Sequence, residues 1–380
     1  MNFTFQNPTK LIFGKGNIAK LATQIPTDKK IMLTMGGGSI RKNGVYDQVI
    51  AALKNHEVVE FWGIEPNPTV ESVREAVALA RENKIDFIVA VGGGSVVDAT
   101  KLITAAIPNE NDPWDIVLNS SLITECVPYA SVITLPATGS EMNSGAVISN
   151  KATDEKFAFY STFPQFSILD PEATFSLPEY QRACGLADTF VHVMEQYLTK
   201  CGVSRLMDRW AEGILSSVVE VSPKVIAEPT NYDTMADYML CATMALNYFI
   251  GMGVPQDWAT HMIGHEVTAL TGTTHGQTLA IILPAVMKVM SDEKKCKILQ
   301  YAERVWGIKE GSEQERIDKA IECTRNYFNS LGLKSKLSEV GCTDEICAQI
   351  VERFKERGTK LGENSSMDYT KIAEVLAICK

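Results

Sequence analysis

Up to about residue 177 the chain alternates short, β-branched apolar runs with stretches whose apolar positions recur at helical spacing. The runs KIMLTM (Lys30 to Met35), EVVEFW (Glu57 to Trp62), DFIVAV (Asp86 to Val91) and YASVITL (Tyr129 to Leu135) predict strands. Short apolar runs alternating with helical stretches read as a parallel sheet with crossover helices. Between them, TVESVREAVALARENK places Val70, Val73, Val77, Leu79 and Ala80 near one helical face. The alternation predicts right-handed crossover units in a parallel sheet. After FSLPEYQ the strand-like runs stop. Asp233 to Ile250, Glu293 to Trp306 and Glu313 to Leu331 predict helices, and Pro178 suits a first helical turn. The expected organisation is an α/β domain over 1–177 and an all-α domain over 178–380. With no low-complexity linker, the two are expected to pack around a shared cleft, a common place for ligands.

A length of 380 residues agrees with two domains, and 45% hydrophobic with 22% charged residues places the chain among ordinary globular proteins. The net charge of -10 argues against nucleic acid or anionic lipid as a main partner, since both require a basic surface. The nine cysteines are scattered and none forms a CxxC pair, a pattern expected of reduced thiols in a cytoplasmic protein. The N-terminal MNFTFQNPTK lacks the basic-then-apolar pattern of an export signal. LAIILPAVM (Leu279 to Met287) is too short to span a membrane and contains Pro284.

Two glycine loops carry candidate chemistry. VGGGSVVDATK follows a predicted strand and opens a predicted helix, so its backbone N–H groups and helix dipole suit a pyrophosphate. The alternative is a tight turn at Gly92 to Gly94 with Ser95 and Asp98 as a capping box. The GxGxxG fingerprint is not met, because Val97 stands where its last glycine would be, which disfavours an ordinary Rossmann enzyme. The second loop, MGGGSIRKNG, follows the first strong strand, where an acid selects NAD and a basic or donor-rich loop selects NADP. No acid occurs from Lys29 to Tyr46, whereas Gly36, Gly37, Gly38, Ser39, Arg41 and Lys42 supply donors and positive charge. This predicts a preference for NADPH over NADH, the alternative being a solvated basic turn.

Three of the five histidines fall in THMIGHEVTALTGTTH: His261, His265 and His275. His261 and His265 lie four residues apart, on one face of a helix. The segment is not an HExxH metalloprotease motif, since Ala269 occupies the fourth position after His265. Asp188 and His192 repeat the four-residue spacing in ACGLADTFVHVMEQYLTK, within an apolar stripe. A carboxylate there is costly unless it is paired or bound to a cation. Asp188, His192, His261 and His275 together offer one hard oxygen and three imidazoles, a set suited to Fe2+ or Zn2+. The alternative is local pairing of each histidine.

Taken with GIEPNP, LPATGSEMNSGAVIS, EGILSSVVE and GVPQDWATHMIGHEVTALTGTTHGQTLAIILPA, these motifs resemble those of the iron-containing (group III) alcohol dehydrogenases. The resemblance runs over nearly the whole chain and points to the branch of NADPH-dependent butanol dehydrogenases and aldehyde reductases. It implies a dehydroquinate synthase-like architecture: an N-terminal dinucleotide-binding α/β domain, then a helical metal-binding domain. It also implies metal ligands at Asp188, His192, His261 and His275, and a further histidine near nicotinamide and substrate at His265. Cofactor contacts are implied at Gly93, Gly94, Ser95, Asp98, Thr134, Thr138, Asn143 and Lys156, with Asn67 nearby.

The implied reaction interconverts aldehydes, such as butanal, and primary alcohols, with NADP(H) and Fe2+ or Zn2+, in a homo-oligomer, a dimer first of all. His265 is the candidate proton relay. The competing classes are a metallohydrolase, a lyase or synthase of the same fold that recycles its nicotinamide, and a non-catalytic sensor. Phe249 and Trp258 are candidates for the substrate pocket or for the core.

Overall fold

The computed structural model describes all 380 residues. They form two compact units: residues 6–177 with 228–243, and residues 1–5 with 178–227 and 244–380. Two short segments therefore cross a single cut at 177/178. For 228–243 the reason is packing on the sheet side. Tyr238 donates to the Pro136 carbonyl and Thr243 to Glu141 Oε1, both at 2.5 Å, and Met239 joins the core beneath the strands.

The first unit is built on β1 (Lys10–Phe13), β2 (Lys30–Met35), β3 (Glu57–Phe61), β4 (Phe87–Gly93), β5 (Tyr129–Leu135) and β8 (Phe166–Leu169), with β6 (Gly145–Asn150) and β7 (Glu155–Tyr160) as an antiparallel hairpin. The six strands form one sheet in the order β1-β8-β5-β4-β2-β3, every neighbour parallel. Residue parity sorts the two cores. Met32, Ile88, Ala90, Tyr129 and Ile133 face one apolar cluster; Ile31, Leu33, Phe87, Val89, Val91, Ala130 and Val132 face the other. Side chains alternate along a strand, so a run apolar at every position is one covered on both faces. The Val70–Glu82 helix buries Val70, Val73, Ala76, Val77 and Ala80 against the first cluster, and Thr69 caps it by accepting from the Ser72 N–H at 3.4 Å.

All four expected strands are present, and the fold class is the one expected: a parallel sheet followed by a helical region. The edge strand β1, the short β8 and the β6–β7 hairpin had no counterpart in the sequence reading. KLIF and FSIL are four residues each, too short for periodicity to register.

The second unit is helical. The Glu179–Tyr197, Ala259–Thr271 and His275–Val289 helices pack on one another, with Arg205–Ala227, Lys295–Arg304, Glu313–Ser330, Asp344–Glu356 and Tyr369–Ile378 around them. Two glycines permit the close contacts. A Cβ on Gly276 would stand 2.1 Å from the Cys184 carbonyl oxygen, and one on Gly264 would stand 3.0 Å from Thr278 Oγ1. One expectation is corrected here: the cysteines are not all free. Cys201, just past the Glu179–Tyr197 helix, is disulfide-bonded to Cys296 at the start of Lys295–Arg304, with Cα atoms 6.3 Å apart. The partners are 95 residues apart in sequence, so only the helix packing reveals them. No helix is long and apolar enough to cross a membrane.

Candidate metal centre and nucleotide loops

In the helical unit, Asp188 and His192 lie one turn apart on Glu179–Tyr197, His261 and His265 lie one turn apart on Ala259–Thr271, and His275 opens His275–Val289. One ligand atom from each of Asp188, His261 and His275 lies within 4.8 Å of the other two. Around Asp188 Oδ1 stand His192 Nδ1 at 3.6 Å, His261 Nε2 at 3.7 Å and His275 Nε2 at 4.0 Å. These separations exceed ordinary hydrogen-bond lengths. They are close to the ~3.4 Å between ligand atoms on a tetrahedral ion with bonds of about 2.1 Å. The donor set therefore fits a divalent metal. His192 lies outside that three-residue group although its Nδ1 stands nearest to Asp188 Oδ1, and its ring stacks on that of His261, centroids 4.6 Å apart. His265 is buried beside the cluster, its ring centroid 5.0 Å from that of His275 and 6.2 Å from that of His261.

The field at the cluster is acidic. Burial opposes protonation of His261, but Glu195, with Asp188 and hydrogen bonds to both carboxylates, outweighs it and holds the imidazole up at about 9. Glu195 is buried, bonds to His261 Nδ1 and accepts from the Thr260 N–H at 2.5 Å. Glu195 has no assigned role in the sequence motifs, although its place in ADTFVHVMEQY, three residues past His192, puts it on the helix face of Asp188 and His192. Trp258, at φ 64, precedes the His261 helix with its ring 5.3 Å from that of His261. Phe249 instead stacks on Trp210 at 4.3 Å.

In the sheet unit, β4 runs into the Gly94–Ala106 helix, and the glycines there have packing reasons. A Cβ on Gly92 would meet Val96 at 2.5 Å, one on Gly93 would meet Leu135 at 3.0 Å, and one on Gly94 would meet Thr138 at 2.5 Å. Asp98 does not cap the helix. Its carboxylate accepts from Ser140 Oγ at 2.6 Å and from the Val147 N–H at 3.0 Å, and burial raises its pKa. Between the helix and the β5–β6 loop lies Lys101, fully buried, donating to Ser140 Oγ at 2.7 Å, Asn143 Oδ1 at 2.9 Å and the Gly145 carbonyl at 2.6 Å. Burial pushes its ammonium down to about 8 against the opposing pull of Asp98 and Glu141. Lys101 was not among the expected site residues. Its signal was the D-x-x-K spacing of the glycine motif.

Of the other expected cofactor positions, Thr134 lies in β5, Thr138 and Asn143 lie in the loop held by Lys101, and Ser95 lies in the first turn of the Gly94–Ala106 helix. Lys156 of β7 donates to Asn67 Oδ1 at 2.8 Å, with Asn67 in the left-handed region at φ 56. Gly36, Gly37 and Gly38 follow β2, and Ser39 begins a four-residue helix. Gly38 requires glycine, at φ 101, whereas a Cβ on Gly37 would meet nothing within 4 Å. Arg41 lies over the Trp62 ring at 4.2 Å.

A parallel sheet with a glycine-opened helix, followed by a helical unit that gathers three imidazoles around one aspartate, defines a metal-dependent nicotinamide dehydrogenase class. The iron-containing alcohol dehydrogenase model matches residues 8–171, and the Fe-containing alcohol dehydrogenase C-terminal model matches residues 182–378. The chain belongs to the iron-containing alcohol dehydrogenase family. It is 52% identical over 369 residues to the NADPH-dependent aldehyde reductase YqhD of Escherichia coli, covering 96% of this chain and 95% of that one. It is 36% identical to the NADH-dependent butanol dehydrogenase A of Clostridium acetobutylicum, covering 99% and 98%. The crystal structure of E. coli K-12 YqhD superposes with a TM-score of 0.98 at 50% identity, covering 100% of this chain and 99% of that one.

Proposed function

We propose that this enzyme reduces aldehydes to primary alcohols, and runs the reverse oxidation, with NADPH as the preferred cofactor and Fe2+ or Zn2+ held by Asp188, His192, His261 and His275. The observation that carries the proposal is the ring of imidazole nitrogens 3.6–4.0 Å from one buried carboxylate oxygen. When bound, the metal supplies Lewis-acid polarisation of the carbonyl oxygen and the nicotinamide supplies hydride.

The chain's own contribution is to hold these groups. Asp188 brings a negative charge that favours a cation at the centre. Lys101 and Asp98 clamp the loop bearing Thr138 and Asn143 to the helix whose opening turn, Gly93 to Ser95, is proposed to receive the pyrophosphate. Gly36 to Ser39 are proposed to receive the 2′-phosphate, with Asn67 and Lys156 completing the nucleotide contacts. His265 is proposed to carry the proton to or from the alcohol oxygen through its imidazole. A His265→Ala enzyme with an unaltered rate and pH profile would remove it from that role. A cytoplasmic homodimer is the form proposed, and light scattering decides the assembly.

The test is the initial rate of NADPH oxidation with butanal, using chelator-stripped protein with and without added Fe2+ or Zn2+, and NADH in parallel. Metal-dependent turnover favouring NADPH is expected. Turnover with no metal requirement, or none with butanal or longer aldehydes, would overturn the reading. Gly37→Asp then reads the cofactor choice cleanly, because the position has open space and an ordinary φ. A loss of the NADPH preference is expected.

A further inference from the structure

Glu195 is a buried carboxylate beside the cluster with no place among the proposed ligands. It is 3% exposed and sits on the same helix as Asp188 and His192, but it turns toward the opening of the His261 helix. There it accepts from the Thr260 N–H at 2.5 Å and the His261 N–H at 3.2 Å, and it meets the ring nitrogen Nδ1 of His261. The other ring nitrogen, Nε2, faces Asp188 Oδ1 at 3.7 Å. The connection between the two helices is pinned as well. The Asp257 N–H donates to the Glu195 carbonyl at 2.9 Å, and the Asp257 carboxylate accepts from the Ala259 N–H at 2.9 Å and from buried Lys294 at 2.7 Å.

From this geometry we infer that Glu195 is a positioning residue for the metal centre, one that sets the tautomer of His261. A carboxylate only accepts, so it demands a proton on Nδ1 and leaves the Nε2 lone pair directed at the centre. A carboxylate behind a ligating imidazole also raises the basicity of that ligand. The same two oxygens serve the first N–H groups of the helix that carries His261, so ring orientation and helix entry are locked by one side chain. Asp188 supplies charge to the ion directly; Glu195 supplies it through the ring.

This inference rests on the metal reading above, and Glu195→Gln separates tautomer control from mere capping. The glutamine oxygen still accepts from the Thr260 and His261 N–H groups, so a residue that only caps the helix predicts an unchanged metal site. Its NH2 group, however, donates to Nδ1, which transfers the ring proton to Nε2 and blocks the lone pair. The measurement is Zn2+ affinity of the chelator-stripped protein by competition with a chromophoric chelator, with thermal melting of the metal-free form alongside. Wild type is expected to bind one Zn2+ per chain, and Glu195→Gln to bind it about 10- to 100-fold more weakly at a similar melting temperature.

Equal Zn2+ affinity of wild type and Glu195→Gln overturns the inference while leaving the metal reading in place. A wild type that binds no Zn2+ overturns both. Should Glu195→Gln not fold, Glu195→Asp against Glu195→Asn makes the same contrast. The aspartate is expected to bind the ion more tightly than the asparagine, and equality overturns the inference.

Discussion

The helical unit and the sheet unit each bury a charged cluster, and the two are built to different lengths. Around Lys101 the polar partners stand 2.6–2.9 Å away, so the ammonium is satisfied by the protein itself. Around Asp188 the three imidazole nitrogens stand 3.6–4.0 Å away. The first spacing is that of hydrogen bonds; the second leaves room for an ion at the centre. A buried charge closed by hydrogen bonds is held by the protein's own donors and acceptors, whereas one ringed by imidazoles at ligand spacing suits a shared cation. The glycines follow the same division. Gly276 is forced by the approach of the helix that carries Asp188, while Gly37 is open on every side.

The sharpest way to break this comparison is to exchange the two losses. Asp188→Ala is expected to weaken Zn2+ binding by more than about 100-fold, beyond the usual effect of an outer partner, and to abolish metal-dependent turnover. The melting temperature of its metal-free form is expected to move far less than that of Lys101→Met. Lys101→Met is expected to do the reverse. Leaving the buried Asp98 carboxylate and three acceptors without their cation is expected to cost about 3 kcal/mol in denaturant unfolding, and to raise the KM for NADPH, with Zn2+ affinity unchanged. If Asp188→Ala destabilises the metal-free protein as much as Lys101→Met does, the distinction between the clusters fails.

Gly276→Ala is next in size. Its new methyl would overlap the Cys184 carbonyl, and a loss of about 1–3 kcal/mol is expected, together with weaker Zn2+ binding as His275 is displaced. Gly37→Ala is its control, with no packing penalty expected. The gentlest effect is a pH slope. Lys101 titrates near 8 in the folded chain and near 10.5 in the unfolded one, so between these values the unfolded state binds more protons. Its contribution to stability therefore rises with pH across that window and is lost as pH falls through about 8. Denaturant midpoints measured from pH 8 to 10.5 should show this component in wild type and lack it in Lys101→Met.

Much of this plan was legible beforehand. KIMLTM and YASVITL begin and end where β2 and β5 do, because burial on both faces writes itself as an unbroken apolar run. The four-residue spacing of Asp188 with His192, and of His261 with His265, announced two helical faces crowded with donors. Other features left no local trace. β1 and β8 are too short to show a period. Residues 228–243 read as one more helix in a helical region, yet their side chains bond to the sheet unit. Cys201 and Cys296 looked like two scattered thiols. Lys101 and Glu195 lie inside VGGGSVVDATK and ADTFVHVMEQY, but partners 42 and 66 residues away cannot be read from spacing.

Periodicity and residue chemistry thus sufficed for the class of fold, the glycine-opened helix and the two helical faces that carry Asp188 with His192 and His261 with His265, since each depends on neighbours within a few turns of one segment. Which oxygen the imidazoles surround, which nitrogen of His261 faces inward, why Gly276 admits no side chain and which cysteines join were decided only when helices distant in sequence packed together. Those outcomes depend on separations of a few ångströms between segments, and such distances are set by the packing of whole side chains rather than by any local pattern.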